Sequence, residues 1–429
     1  MRLIADLKTL TGYAGFRKLL AIRLVSQTGD GLVQAGLASL FFFSPERLTT
    51  AGDVAIAFAV LLLPFTVVGP FAGPLLDRWR RRQVLLYGNA VRAVLAVIIG
   101  LCLVQLGIGP AVYALALLIL GVNRFLLSAL SAGLPLVVPR HLLLMANSIT
   151  PTLGAGAAVL GAVIGFGLGI VLPTGAVRDF GLLAAAGLVF AAAAALALRL
   201  APSELGPDGS GERRRSIFAV FGELAAAARY LTARRTPGAA LAVMATHRFF
   251  YGVNFLVLIL ASRNLLVDPT NAAAGLALFA TLSGISFAGS GLAIIATPIA
   301  HERLSPQQWI LACLGIGALS QLVAATAPAV PVIASAAFLL GLSVQGAKIA
   351  VDTIVQRDTA DAYRGRAFAL YDVMFNAAFV GAAGLAAAIL PDTGWSRGVF
   401  LVLAAAFALL AAAYRLSPAE PADVASTRV

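Results

Sequence analysis

The sequence predicts an all-α integral membrane protein whose twelve transmembrane helices form two pseudo-symmetric six-helix bundles. Three observations carry this prediction. Of the 429 residues, 60% are hydrophobic and only 12% are charged, against about 25% charged in a soluble globular chain. The apolar residues fall into twelve runs, each near the roughly 20 residues that a helix needs to cross a bilayer core. The basic residues gather in alternate gaps between those runs, which is the signature of cytoplasmic loops.

The runs lie at 18–43, 53–76, 83–107, 110–134, 145–172, 179–199, 237–261, 272–298, 307–327, 330–356, 366–390 and 395–415. The stretch between spans 2 and 3, Gly73 to Leu85, reads GPLLDRWRRRQVL. Its arginines, Arg78, Arg80, Arg81 and Arg82, resist translocation and place the loop inside. Both termini are then cytoplasmic. The proposed inside segments hold 22 of the 31 Lys and Arg residues and the outside loops 4, with Arg23, Arg92, Arg124, Arg248 and Lys348 inside spans. The first run begins near Leu19 and is too long for a signal-peptide core, so no cleaved leader is expected.

Residues 1–199 read as an N-terminal six-helix bundle, and 237–429 as a C-terminal bundle with a short cytoplasmic tail. Between them, 200–236 is the one long hydrophilic interruption. It opens flexible and polar (PSELGPDGSGERRR) and turns amphipathic from Ser216 to Arg235, where Ile217, Val220, Phe221 and Leu224 share a helical face. Such a segment suits a helix lying on the cytoplasmic membrane surface or a solvated linker helix.

GPLLDRWRRR closely resembles the loop signature of the major facilitator superfamily, roughly G-x-L-a-D-R-x-G-R-[RK]. Gly73, Leu75, Asp77, Arg78, Arg81 and Arg82 match, and Arg80 stands where the family pattern has Gly. The resemblance implies that Asp77 caps a neighbouring helix and latches a cytoplasmic gate, with Arg78 holding it; a carboxylate at a helix N-terminus beside an Arg is physically sound. The opening FRKLLAIRLVSQTGDGL and the loop QRDTADAYRGRAFALYD after span 10 resemble the drug and siderophore exporter branch, which includes the enterobactin exporter and macrolide efflux proteins. In this superfamily the two halves enclose a binding site near the midplane. The resemblance thus implies a secondary transporter working by alternating access, and proton-coupled efflux of a small amphipathic molecule. It further implies a monomer in the inner (plasma) membrane. A proton-independent facilitator, importer or lipid flippase of the same fold is the alternative. Two departures matter, one making the signature repeat degenerate in the second half and the other making antiport less secure. The loop after span 8, ATPIAHERLSPQQW, keeps Arg303 but not the Gly and Asp pattern. Span 5 carries LGAGAAVLGAVIGFGLG without the Gly-Pro pair usual in antiporters, though its small residues still permit close helix contact.

Charges inside a span cost about 2.5–3.5 kcal/mol each at its centre on insertion scales and so require a reason. Four spans carry polar residues at spacings of three and four, on one helical face. These are Gln27, Asp30 and Gln34 in span 1, Asn123 and Arg124 in span 4, His247, Arg248, Tyr251 and Asn254 in span 7, and Gln345, Lys348 and Asp352 in span 10. Such faces line a shared aqueous cavity or pair with one another, and spans 1, 4, 7 and 10 are the cavity-lining helices of the resembled superfamily. Asp30, mid-span, is the candidate for proton coupling; the competing reading is a permanent ion pair with Arg92, Arg124 or Arg248. Arg124 resembles the span-4 Arg of many proton-coupled members, or serves as a pairing residue. His247 and Arg248 are candidates to contact a polar or anionic substrate group, the plainer reading of His247 being a hydrogen-bonded packing residue. Lys348 and Asp352, four apart, suit an intrahelical pair and, with Asp372 on span 11, read mainly as gate ion pairs.

The net charge of +12 does not point to nucleic acid, because the arginines lie in gaps between apolar runs. Three His and two Cys are too few and scattered for a metal site, and Cys102 and Cys313 sit inside apolar runs, which implies no disulfide framework. There is no H-E-x-x-H, G-x-S-x-G or phosphate-cradling loop. No cofactor and no enzymatic activity is expected; the partners expected are a small-molecule substrate, protons and the bilayer.

Overall fold

A computed structural model describes residues 9–42, 52, 80–107, 109–139, 142–173, 175–202, 204–206 and 219–418. The described residues form twelve long helices and no strands. They fall into two compact units.

The first unit holds α1 (Ala14–Phe42), α2 (Arg81–Leu106), α3 (Pro110–Val137), α4 (Leu143–Val171) and α5 (Ala176–Ala197). These match predicted spans 1, 3, 4, 5 and 6 to within a few residues. Span 2 and the signature residues Gly73, Asp77 and Arg78 lie outside the described residues. Helix α2 packs along α5 and α3. Its buried stripe, Val84, Leu85, Asn89, Arg92, Ala96, Ile99 and Leu103, recurs at intervals of three and four, as one face of an α-helix requires.

Glycines bring α1 and α4 into close approach. A Cβ on Gly161 would strike the Thr28 carbonyl, one on Gly154 the Gln27 side chain, and one on Gly31 the Ala158 carbonyl. Gly156, Gly167 and Gly169 face open space. The glycine-rich span 5 therefore uses one face for backbone-to-backbone contact, the arrangement small residues permit in membranes.

The second unit holds α6 (Ala219–Arg234), α7 (Thr236–Asn264), α8 (Ala272–His301), α9 (Pro306–Ala324), α10 (Val330–Asp358), α11 (Asp361–Ile389) and α12 (Arg397–Arg415). Helix α10 is its centre, packing on α8, α9 and α7, while α7 packs on α11 and α9 on α12. The ends are chemically marked. Ser305 and Gln308 form a reciprocal capping box ahead of α9, with Pro306 at its first turn, so otherwise unpaired N–H groups find partners. Asn271 caps α8 by accepting from the Ala274 N–H at 3.0 Å. Across all the described residues, ten helices are long and apolar enough to span a membrane.

Helix α6 covers the second part of the expected amphipathic segment, while Ile217 lies outside the described residues. Ala227 and Leu231 are fully buried against the second unit, in phase with Leu224. Tyr230 stacks on Tyr363 at 4.1 Å and accepts a hydrogen bond from the Ala360 N–H at 3.1 Å. Arg234 Nε donates to the Asp358 carbonyl at 3.0 Å, and Arg366 approaches Glu223 at 3.7 Å. These contacts tie α6 to the α10–α11 corner. Arg235 turns the chain from α6 into α7 with φ 64°, an uncommon conformation for a non-glycine residue.

Candidate functional site: buried charges in two helical units

In the first unit, Asp30 of α1 forms an ion pair with Arg92 of α2, and the two side chains are 6% and 1% exposed. Arg92 Nη1 also donates to Ser26 Oγ at 3.0 Å and to Asn89 Oδ1 at 3.4 Å. Ser26 Oγ donates to Asn89 Oδ1 at 2.9 Å, and Asn89 Nδ2 donates to the Leu85 carbonyl at 2.8 Å. The guanidinium carbon lies 3.7 Å from the centre of the Phe190 ring on α5. Three helices thus converge on one buried positive charge. A buried pair holds best when further hydrogen bonds satisfy its remaining donors and acceptors; Ser26 and Asn89 take Nη1 of Arg92, while its buried Nε has no acceptor among the described residues.

Of the other span-1 candidates, Gln27 accepts from Arg23 Nε at 3.0 Å, and Gln34 is exposed. Arg124 is half-buried on α3. Sequence reasoning left the partner of Asp30 open among three arginines and missed Asn89 and Phe190. The available signal was Asn89 three residues before Arg92, two polar groups on one face of span 3. The partner comes from span 3, not from the spans expected to line a cavity.

In the second unit the predicted span-7 face divides. His247 has no exposed surface; its Nε2 lies 2.8 Å from Ser343 Oγ on α10, and its ring meets Phe407 of α12 edge-on at 5.1 Å. Ser343 spends its one hydroxyl proton on the Cys313 carbonyl at 2.6 Å, so Nε2 of His247 is the donor in their bond. The next residue, about 100° further round the helix, faces α11 instead. The Arg248 guanidinium carbon sits 4.0 Å from the Phe379 ring centre, 4.1 Å from Phe375 and 4.9 Å from Tyr251. Cation–π contacts contribute about 0.5–1 kcal/mol each, rising to about 2 when desolvated, which offsets the insertion cost of an arginine at this depth without a carboxylate. Tyr251 stacks on Phe379 at 5.9 Å. Asn254 donates to its own helix at the Phe250 carbonyl at 2.9 Å and lines an interior cavity of ≈ 20 Å³, room for about one water.

Lys348 and Asp352 pair along α10 at 2.6 Å, as their spacing predicts. Gln345 is half-buried on the same helix, and Asp372 is exposed on α11. Of the predicted gate residues within the described chain, Arg81 Nη1 donates to the Leu205 carbonyl at 3.2 Å, tying the start of α2 to the segment after α5, and Arg82 is half-buried beside it. Among the described residues no three His, Cys, Asp or Glu side chains gather in a metal-binding group.

Ten helices long and apolar enough to cross a membrane mark a polytopic membrane protein, and the chain belongs to the major facilitator superfamily of transporters. It is 36% identical over 404 residues to the uncharacterized MFS-type transporters Mb0038c of Mycobacterium bovis and Rv0037c of Mycobacterium tuberculosis, covering 92% of this chain and 89% of each relative. Its fold is similar to that of the nucleoside transporter NupG, with TM-score 0.64 and 14% identity over 93% of this chain and 97% of that one. It is also similar to the fucose:proton symporter FucP of E. coli, with TM-score 0.57 and 12% identity over 93% and 97% of the two chains. No family profile matches the chain.

Proposed function

We propose that this chain is a secondary active transporter of the drug and siderophore exporter type, working by alternating access and coupling efflux of a small amphipathic molecule to proton entry. The observation that carries the coupling is the Asp30–Arg92 pair. Asp30 is a carboxylate mid-way along a membrane helix whose charge is balanced by one arginine from a neighbouring helix. Protonating Asp30 removes that balance and leaves Arg92 to its neutral partners, Ser26 and Asn89. A proton arriving at Asp30 therefore changes what holds α1 to α2, and a carrier needs such a change to couple a proton to a conformational step. Asp77 and Arg78 serve the cytoplasmic gate in this reading.

A second reading, a proton-independent facilitator, importer or lipid flippase, is favoured by one feature of the same pair. Its seclusion, with the guanidinium hydrogen-bonded to two neutral groups, also suits a permanent structural link.

The test is accumulation of a panel of amphipathic compounds in cells lacking their main exporters, with and without this chain, and with and without a protonophore. Lowered accumulation of at least one compound, reversed by the protonophore, is the expected result. Lowered accumulation that survives the protonophore supports the second reading, and raised accumulation contradicts the export direction.

A further inference from the structure

We infer that the second unit carries an oxyanion-binding site centred on Arg248, so that the transported molecules are flat apolar compounds bearing a carboxylate or phosphate. This deepens the transporter reading and rests on it.

Arg248 lies 12 residues into α7, about 18 Å along the helix axis, well away from either end. Among the described residues no carboxylate lies within ion-pairing distance of it, and its Nε, although buried, has no hydrogen-bond acceptor. The rings of Phe375, Phe379 and Tyr251 surround the guanidinium. Rings satisfy a guanidinium through its charge but take none of its N–H donors in strong bonds. A planar fork of donors fits a carboxylate or phosphate with two parallel hydrogen bonds.

A second group points to the same ligand. Tyr371 is 6% exposed, and among the described residues its hydroxyl has no hydrogen-bond partner. Its ring lies 5.8 Å from that of Phe375, which is one of the rings against the Arg248 guanidinium. A buried hydroxyl left unpaired is costly, and an oxyanion held beside Phe375 would offer acceptors to both groups. Charges of both signs stand around Tyr371: Asp352 is engaged by Lys348, whose ammonium is 5.8 Å from the Tyr371 ring centre, and Asp372 follows Tyr371 on α11. Arg248 is braced by rings in place of a carboxylate. The rings that brace it, joined by Phe255 against Phe379 at 5.9 Å, offer an apolar wall for a flat body.

The experiment is thermal unfolding of the purified full chain in detergent with four matched probes: 2-naphthoate, 2-naphthyl phosphate, 2-naphthamide and 2-naphthylmethylamine. Phosphatidylglycerol is added as a fifth. Naphthoate and naphthyl phosphate are expected to raise the Tm, and the amide and amine are not. Arg248→Gln should abolish the rise and Arg248→Lys should keep part of it. Tyr371→Phe should raise the unliganded Tm, by removing an unpaired buried hydroxyl, while weakening anion binding about tenfold, the size expected for one hydrogen bond to a charged group. If Arg248→Gln does not fold, the Lys and Phe variants decide. Stabilisation by the amide or amine equal to that by the anions overturns the proposal. So does an anion effect unchanged in Arg248→Lys and Tyr371→Phe, or no anion effect at all. Stabilisation by phosphatidylglycerol alone reassigns the site to a lipid headgroup and overturns the substrate class. Transport of neutral or cationic compounds in the cell assay would leave the transporter reading standing while removing this one.

Discussion

Asp30 and Arg92 face each other across α1 and α2, sealed from solvent, and no other carboxylate among the described residues pairs with Arg92. Their interdependence is measurable. Arg92→Gln should strand a buried carboxylate and lower stability by about 3–5 kcal/mol, and Asp30→Asn should cost a similar amount, because removing one partner leaves the other charge uncompensated. The double neutral variant should recover much of the loss. Thermal unfolding of the purified variants checks this; additive losses in the double variant would mean the pair contributes little as a pair.

The α1–α4 contact makes a sharper packing prediction. Gly161→Ala places a methyl against the Thr28 carbonyl, whereas Gly156→Ala points into open space. Overpacking a tight contact costs about 1–3 kcal/mol, so the first change should lower the Tm and the second should not. Comparable effects from both would remove the close approach as an explanation for the glycine run.

The helices were legible because a membrane span announces itself by length and composition. The run read at 83–107 is the helix Arg81–Leu106, and that read at 330–356 is Val330–Asp358. Intrahelical chemistry was legible for the same reason: Lys348 and Asp352 are four apart, and they pair. Contacts set by tertiary packing were not. Periodicity placed His247 and Arg248 on one working face, yet packing sends one towards Ser343 and Phe407 and the other towards Phe375 and Phe379. The docking of α6 depends on Tyr230 meeting Tyr363, a pairing far apart in the chain that amphipathicity alone does not specify. Asp30 had three candidate arginines, and only geometry selects Arg92.

Ser343 is a hinge of side-chain bonding between α7, α9 and α10, since it accepts from His247 and donates to the Cys313 carbonyl. Ser343→Ala leaves the His247 donor buried without an acceptor, at a cost of about 1–3 kcal/mol. A Tm drop well beyond that of Ser335→Ala, an exposed serine on the same helix that bonds only its own backbone, is the expected outcome. Equal drops would mean that the His247 bond adds nothing.

The arginine-rich loop before α2 gives a functional prediction. Asp77→Asn should reduce transport by tenfold or more at unchanged membrane abundance, if the carboxylate latches the gate through charge-assisted bonds. Arg81→Lys, which keeps a positive charge near the Leu205 carbonyl, should have a milder effect. Transport unaltered in Asp77→Asn would contradict the gate role.

The most direct test of the coupling claim is substrate movement in everted membrane vesicles under an imposed pH gradient, comparing the wild type with Asp30→Asn at equal protein. Proton-coupled efflux through Asp30 predicts that wild-type uptake into the vesicles follows the gradient and that the variant loses this dependence while still binding substrate. Gradient-driven uptake that persists in Asp30→Asn would contradict it, and the Asp30–Arg92 pair would then be a structural link alone.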